Sequence, residues 1–128
     1  MKTIIIVGGS KGIENAILKK LTGVSKVVNI SRTTPKELYA NLVHFFCDTL
    51  QNDLPNLDAA DGLIYYPGSI NLKPISGLSL DNFKNDFEIN VLGAIKAIQY
   101  YLPVLKMTYA LYFIIQCSSR KTWCALSC

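Results

Sequence analysis

Thr3-Ile-Ile-Ile-Val-Gly-Gly-Ser-Lys-Gly-Ile-Glu-Asn-Ala-Ile-Leu-Lys-Lys-Leu21 opens the chain and decides its fold class. Ile4 to Val7 is a β-branched run without polar alternation, which is typical of a strand buried on both faces. After the glycines the period changes to that of a helix, whose single stripe contains Ile13, Ala16, Ile17, Lys20 and Leu21. A strand, a glycine turn and a helix form a phosphate-binding unit, because backbone N–H groups and the helix N-terminus can face an anion there.

Gly8-x-x-x-Gly12-Ile13 resembles the nucleotide fingerprint of the short-chain dehydrogenase/reductase family, Thr-Gly-x-x-x-Gly-Ile-Gly. Val7 stands where that family has Thr, and Glu14 replaces the third glycine. A carboxylate at position 14 would compete with a pyrophosphate for the positive end of the helix. The resemblance implies an α/β fold, a doubly wound parallel (Rossmann-like) sheet of about five strands in the order 3-2-1-4-5. It also implies a set of cofactor-binding residues in this turn: Gly8, Ser10, Lys11, Gly12 and Ile13.

Length and composition indicate one globular domain, since half of the 128 residues are hydrophobic and 17% are charged. The net charge of +4 comes from scattered lysines, so we expect neither a nucleic-acid nor a membrane partner. The first apolar run is too short for a signal peptide, and a cytoplasmic location is expected. Cys47 stands alone, the other three cysteines form no Cys-x-x-Cys, and the one histidine is distant, so no metal site is expected.

The second predicted strand, Lys26 to Ile30, ends at Ser31-Arg32. An NAD enzyme carries an acid here to hold the ribose 2′-hydroxyl, whereas a serine followed by a guanidinium suits a 2′-phosphate. Lys11 corresponds to the second basic residue of NADP-preferring relatives. Together Ser31, Arg32 and Lys11 predict NADP as the cofactor; the alternative is that both cations are solvated surface residues.

A short helix is predicted from Thr34-Pro35 to about Ala40, and a third strand is predicted over 42–47. Two polar residues lie in or next to this strand. Asp48, directly after the strand, resembles the family's acid that binds the adenine amino group, and a turn residue is an equally good interpretation. His44 lies inside the strand and is given no catalytic role.

A fourth strand is predicted over 61–66, and Pro67-Gly68-Ser69 ends it. The family usually carries Asn-Asn-Ala-Gly here. This chain has Tyr65-Tyr66-Pro67-Gly68, so only the glycine matches, and Gly68 is expected to line the cofactor site.

A long helix is predicted from apolar residues three or four apart, which suggest one buried face: Phe83, Phe87, Ala94, Ile98, Leu102 and Leu105. Asn90 falls on the same face, where an amide needs a hydrogen-bond partner. Asn90-Val-Leu-Gly-Ala resembles the family's Asn-x-x-Gly signature, whose Asn holds a water in the proton relay. The alternative is a satisfied core asparagine.

The family's chemistry also needs a Ser that orients the carbonyl and a Tyr whose pKa is lowered by a Lys four residues later. A candidate fifth strand, 110–116, precedes Ser118, which follows Asn90 at close to the interval of the catalytic serine. No tyrosine follows Tyr112, and no Tyr-x-x-x-Lys follows the serines.

The resemblance therefore implies a truncated dinucleotide-binding domain over 1–128, with 1–105 similar to the family and 106–128 an atypical tail. We interpret the tail from about Met107 as an out-of-frame read, because three cysteines and the single tryptophan crowd it. The competing interpretation keeps 113–119 as a genuine fifth strand.

We expect the NADP-binding part of an oxidoreductase that transfers hydride between carbonyl and alcohol, inactive alone because the Tyr-x-x-x-Lys segment is absent. A small carbonyl or alcohol substrate, and oligomers, are expected for the full-length relatives. The alternatives are a non-catalytic dinucleotide-binding or interaction module and a frameshifted relic.

Overall fold

Five parallel strands form one sheet among the residues that our computed structural model describes, 1–8, 13–67 and 74–113, with side chains at 13, 14 and 107–113 left aside. The strands are β1 Thr3–Val7, β2 Lys26–Ser31, β3 Leu42–Phe46, β4 Ala60–Tyr65 and β5 Leu105–Phe113. Their order is β3-β2-β1-β4-β5, with every pairing parallel. The predicted fold class and strand order are confirmed.

The central strand β1 is apolar on both sides because it lies between two layers. Ile5 and Val7 belong to the core cluster on one face of the sheet, whereas Ile6 packs with Leu18 and Val27 on the other. A strand without a solvent face has no position for an alternating polar residue. This burial explains the unbroken apolar run from which the fold class was predicted.

Helices cover both faces of the sheet. Helix α1, Ile13–Thr22, packs on one face through Leu18. On the other face a continuous helical segment comprises α2 (Leu80–Phe87), a π-helical turn (Glu88–Leu92), α3 (Gly93–Tyr101) and a 3₁₀ turn (Leu102–Val104). A further 3₁₀ turn, Ile75–Gly77, precedes them.

Helix α2 begins with a capping box, in which two residues satisfy each other's backbone N–H groups. The Ser79 hydroxyl accepts from the Asn82 N–H at 3.2 Å, and the Asn82 side chain accepts from the Ser79 N–H at 3.0 Å. This pair gives the long helical segment a defined start.

The predicted buried face of this helical segment is only partly correct. Ala94 is buried, and Ile98 and Leu105 pack against the core, but Phe83 and Phe87 are 47% and 55% exposed. The π-helical turn lies between these two groups and adds one residue to a turn, which rotates the following helix by about 100°. Phe87 and Ala94, which regular helical spacing would place on one face, therefore lie on different faces. Leu102 is also exposed, because the helix tightens into a 3₁₀ turn there.

Two further predictions differ from the structure by more than one residue. The segment from Thr34 to Ala40 forms bends and a turn rather than a helix. Leu38 is 78% exposed there, so a short helix would have no apolar face to pack. The fifth strand begins at Leu105, five residues before its predicted start, and pairs with β4 as far as Phe113. Residues 114–128, which separate the two interpretations of the tail, lie outside the described residues.

Gly8→Ala should lower the free energy of unfolding by about 1–3 kcal/mol, the scale of one strained backbone position. Gly8 has φ +96°, and a Cβ there would lie 2.9 Å from Cδ of Pro67. The control is Gly77→Ala, since a Cβ on Gly77 would meet nothing within 4 Å. Urea denaturation of the two variants measures the difference, and equal stabilities would contradict this account of the turn.

Candidate functional site

The carboxyl ends of the four consecutive strands β3, β2, β1 and β4 are joined by backbone hydrogen bonds. The Gly8 N–H donates to the Ile30 carbonyl at 2.7 Å, and the Tyr66 N–H donates to the Val7 carbonyl at 2.9 Å. The Cys47 N–H donates in turn to the carbonyl that ends β2, at 3.1 Å. The chain leaves β1 between β2 and β4, where the strand order reverses. This is the edge at which open α/β sheets bind ligands.

Gly8 lets the backbone turn sharply at the end of β1. Its positive φ and its contact with Pro67 leave no room for a side chain. The chain then enters α1 at Ile13, so the start of this helix follows the turn within a few residues. The other predicted residues of the glycine turn, Ser10, Lys11 and Gly12, lie outside the described residues, as does Gly68.

The end of β2 presents Arg32 to solvent. Ser31 is buried, and its hydroxyl donates to the Thr33 carbonyl at 2.7 Å, which shapes the turn. The Arg32 side chain is 76% exposed. The structure therefore gives Ser31 an internal hydrogen bond and leaves the guanidinium of Arg32 accessible to an anion.

Asp48 lies beside Arg32, because the ends of β2 and β3 are neighbours in the sheet. Its Oδ2 is 3.9 Å from a guanidinium nitrogen, a distance at which an exposed pair contributes little to stability. Its Oδ1 accepts from the Leu50 N–H at 3.0 Å, and the Asn52 side chain accepts from the Asp48 N–H at 3.0 Å. Asp48 is thus a turn residue whose second carboxylate oxygen faces Arg32. Its adenine-binding role stays a prediction.

Lys96 holds the loop after β3 from the helix side. Its Nζ donates to the Thr49 carbonyl at 2.6 Å and to the Asn52 carbonyl at 2.9 Å. The sequence analysis missed this residue. A lysine between the buried Ala94 and Ala97 was the available signal, because a cation beside a buried helix face needs acceptors.

Asn90 lies in the π-helical turn. The Gly93 N–H donates to the Glu88 carbonyl, five residues earlier, instead of to the Ile89 carbonyl four residues earlier. The Tyr65 hydroxyl donates to the Ile89 carbonyl at 2.6 Å. The end of β4 therefore supports the helix turn that carries Asn90.

Tyr65 is the second residue that the sequence analysis missed, since it appeared only as a departure from the family pattern. Burial, and then the charge of Asp48, raise the pKa of Tyr65 to about 12. The hydroxyl therefore stays protonated at neutral pH and remains a donor. A Cβ on Gly93 would overlap this hydroxyl, so the glycine permits the contact.

The sequence matches no family model and no curated protein. Solved structures resemble its fold. A short-chain dehydrogenase family protein from Francisella tularensis subsp. tularensis SCHU S4 superposes with a TM-score of 0.77 at 22% identity, over 89% of this chain and 50% of that protein. A short-chain dehydrogenase from Leptospira borgpetersenii, solved with bound NAD+, gives 0.69 at 19% identity, over 80% and 45% of the two chains.

A third similar structure, from Burkholderia multivorans, is described as a short-chain dehydrogenase/reductase and was solved with bound NADP. It gives a TM-score of 0.69 at 17% identity, over 88% of this chain and 58% of that protein. The resemblance to the short-chain family is thus confirmed at the level of the fold. This chain spans about half the length of these proteins. In the described ranges, no helix is both long and apolar enough to cross a membrane.

Tyr65→Phe should lower the free energy of unfolding by about 1–2 kcal/mol, because the Ile89 carbonyl loses its donor. Tyr100→Phe is the control, since the Tyr100 hydroxyl bonds to Asn56 at the surface and its loss should cost less than about 0.5 kcal/mol. Chemical denaturation measures both.

A double-mutant cycle then tests the contact itself. Gly93→Ala should cost less stability in the Tyr65→Phe background than alone, because the overlapping hydroxyl is gone. Equal costs in the two backgrounds would show that Tyr65 and Gly93 are not coupled.

Proposed function

We propose that this chain is the NADP-binding part of a short-chain oxidoreductase that transfers hydride between a carbonyl and an alcohol. The observation that carries the proposal is the exposed Arg32 beside Asp48 at the carboxyl edge of the sheet, next to the Gly8 turn. The fold shared with short-chain dehydrogenases supports it.

The residues at this edge of the sheet suit the groups of an NADP molecule. The guanidinium of Arg32 suits a 2′-phosphate, and the Asp48 carboxylate suits the amino group of adenine. The turn at Gly8 lacks a side chain where the pyrophosphate would approach the backbone. The further assignments rest on the sequence resemblance: Ser10, Lys11, Gly12 and Ile13 at the pyrophosphate and 2′-phosphate, Ser31 at the ribose, and Gly68 lining the site.

The nicotinamide supplies or accepts the hydride when the cofactor is bound. Asn90 would hold a water for proton transfer, and Ser118 would orient the substrate carbonyl. A residue for the role of proton donor is missing from this sequence, because no tyrosine follows Tyr112. A phenol needs a nearby cation to act as a base at neutral pH, and no Tyr-x-x-x-Lys follows the serines. We therefore expect binding without turnover from these 128 residues alone.

A second candidate function is a non-catalytic module that pairs with another protein. Exposed apolar side chains follow α2, the π-helical turn and α3, namely Phe83, Phe87, Val91 and Ile95. Such a stripe favours a protein partner. NADPH binding without turnover, together with a concentration-dependent mass in light scattering, would favour this module. An insoluble chain without binding would favour a relic.

NADPH should bind more tightly than NADH by about 1–3 kcal/mol, or roughly 5- to 150-fold, because cations replace the acid that holds a ribose hydroxyl. Arg32→Ala should remove most of this preference. Lys36→Ala is the control, since it removes an exposed cation four residues further along the same connection. Fluorescence titration with both dinucleotides measures the ratio. Equal affinities, or a preference that survives Arg32→Ala, would refute the NADP assignment.

Glu14→Gly should tighten dinucleotide binding by about 1–2 kcal/mol, since Glu14 is the second residue of α1 and a carboxylate there repels a pyrophosphate. Glu14→Gln separates charge from shape, because it removes the charge and keeps the side-chain length. If charge is the cause, both variants should bind more tightly in the same titration. No gain in either variant would contradict the assigned role of this position.

A further inference from the structure

A chain of hydrogen bonds between side chains runs along one face of the sheet to the turn that carries Arg32. Asn29 is fully buried in β2, and its Nδ2 lies 3.3 Å from Nδ1 of His44 on β3. The same Nδ2 donates to the Ser31 hydroxyl at 3.3 Å, and that hydroxyl donates to the Thr33 carbonyl at 2.7 Å. We call these four residues the polar relay.

The direction of the polar relay follows from the chemistry of its groups. The Asn29 amide nitrogen can only donate, so Nδ1 of His44 must be the acceptor and the ring proton sits on Nε2. His44 is therefore neutral in this arrangement. Its Nε2 is buried and has no hydrogen-bond partner among the described residues. Burial lowers the pKa of His44 and outweighs a hydrogen bond to the Asn29 backbone, which acts in the opposite direction, so the net change agrees with the neutral form.

No described charged side chain competes with the relay for His44. β3 carries no other titratable residue, and α1 packs on this face of the sheet through Ile17, Leu18 and Leu21. The described cations on the neighbouring elements are exposed: Lys19, Lys20, Lys26 and Arg32. Asp48, beyond the end of β3, faces Arg32. Glu14, at the start of α1, has its side chain outside the description.

We propose that His44 and Asn29 are positioning residues that hold the Ser31–Thr33 turn, and thereby Arg32, and that protonation of His44 releases this hold. The effect of His44 on cofactor affinity rests on the NADP binding proposed above. The positioning of the Ser31–Thr33 turn by His44 and Asn29 does not depend on any cofactor.

Protonation reverses the polar relay. With a proton on Nδ1, His44 and the Asn29 amide nitrogen are two donors facing each other, so the amide must rotate to present its oxygen. That oxygen then accepts from His44 and draws the Ser31 hydroxyl proton away from Thr33. The Thr33 carbonyl loses the Ser31 donor, and the turn that presents Arg32 loses the hydrogen bond that shapes it.

The first experiment follows the titration of His44 by NMR without any ligand. The histidine signal is unambiguous, because the sequence has a single histidine. As the pH falls through the His44 transition, the amide signals of Arg32 and Thr33 should shift with the same midpoint. Ser31→Ala should abolish this coupling, and Ser76→Ala, an exposed serine in a 3₁₀ turn, should not. Amide signals that ignore the His44 titration, or follow it in Ser31→Ala, would overturn the proposal.

Stability must be followed in parallel. The unfolded chain takes up the histidine proton at a higher pH than the folded chain, because the folded pKa is lowered. Folding is therefore less favourable as the pH falls below the ordinary histidine range, and circular dichroism defines the pH at which the chain is still folded.

The second experiment compares NADPH and NADH affinities between pH 8 and the lowest pH at which the chain stays folded. The 2′-phosphate itself titrates at about pH 6 and needs a control. His44→Gln is the matched control, because glutamine can accept the same hydrogen bond and does not titrate. The NADPH preference of the wild type should fall about two- to tenfold further than that of His44→Gln, the scale of one hydrogen bond. Identical pH profiles would overturn the proposal. If neither dinucleotide binds, the proposed function fails, and the NMR titration alone decides whether the polar relay holds the turn.

Discussion

The contact between Gly8 and Pro67 joins the ends of the central strands β1 and β4 at the edge where the candidate site lies. Gly8 also donates its N–H to the Ile30 carbonyl of β2, so one residue without a side chain contacts both neighbours of the central strand. Since a Cβ would meet the proline ring, this packing requires glycine. The loops that follow these strands therefore start from defined positions, and the site depends on that alignment.

Each loop of the site is also supported by a polar group outside the loop. Asn29 supports the turn after β2, Lys96 supports the loop after β3, and Tyr65 supports the helix turn that carries Asn90. A buried polar group is costly unless it is paired, so the three groups stabilise one arrangement of the loops over others. The backbone positions from which the exposed Arg32 and the partly exposed Asp48 extend are therefore defined by contacts within the protein.

The long helix shows where periodicity stops being informative. Phe83, Phe87 and Ala94 follow helical spacing, yet only Ala94 is buried, because the intervening π-helical turn changes the phase. That turn involves Gly93, which lacks a Cβ, and Tyr65 from another strand. Tyr65 and Ile89 are 24 positions apart, and Lys96 and Thr49 are 47 apart. Hydrogen bonds between residues so distant in sequence leave no periodic signal in either segment.

The sequence by itself determined the apolar strands, the glycine turn, and the positions of Arg32 and Asp48 at the ends of two strands, because an apolar run, a glycine and a strand end are all visible within a few residues. The strand order came from the family resemblance. Only the tertiary structure decided the burial of Ser31, the π-helical turn at Asn90, the support from Lys96 and Tyr65, and the polar relay through His44. These features depend on which strands and helices become neighbours, and that is settled when the apolar faces pack together and bring distant polar groups within hydrogen-bonding distance.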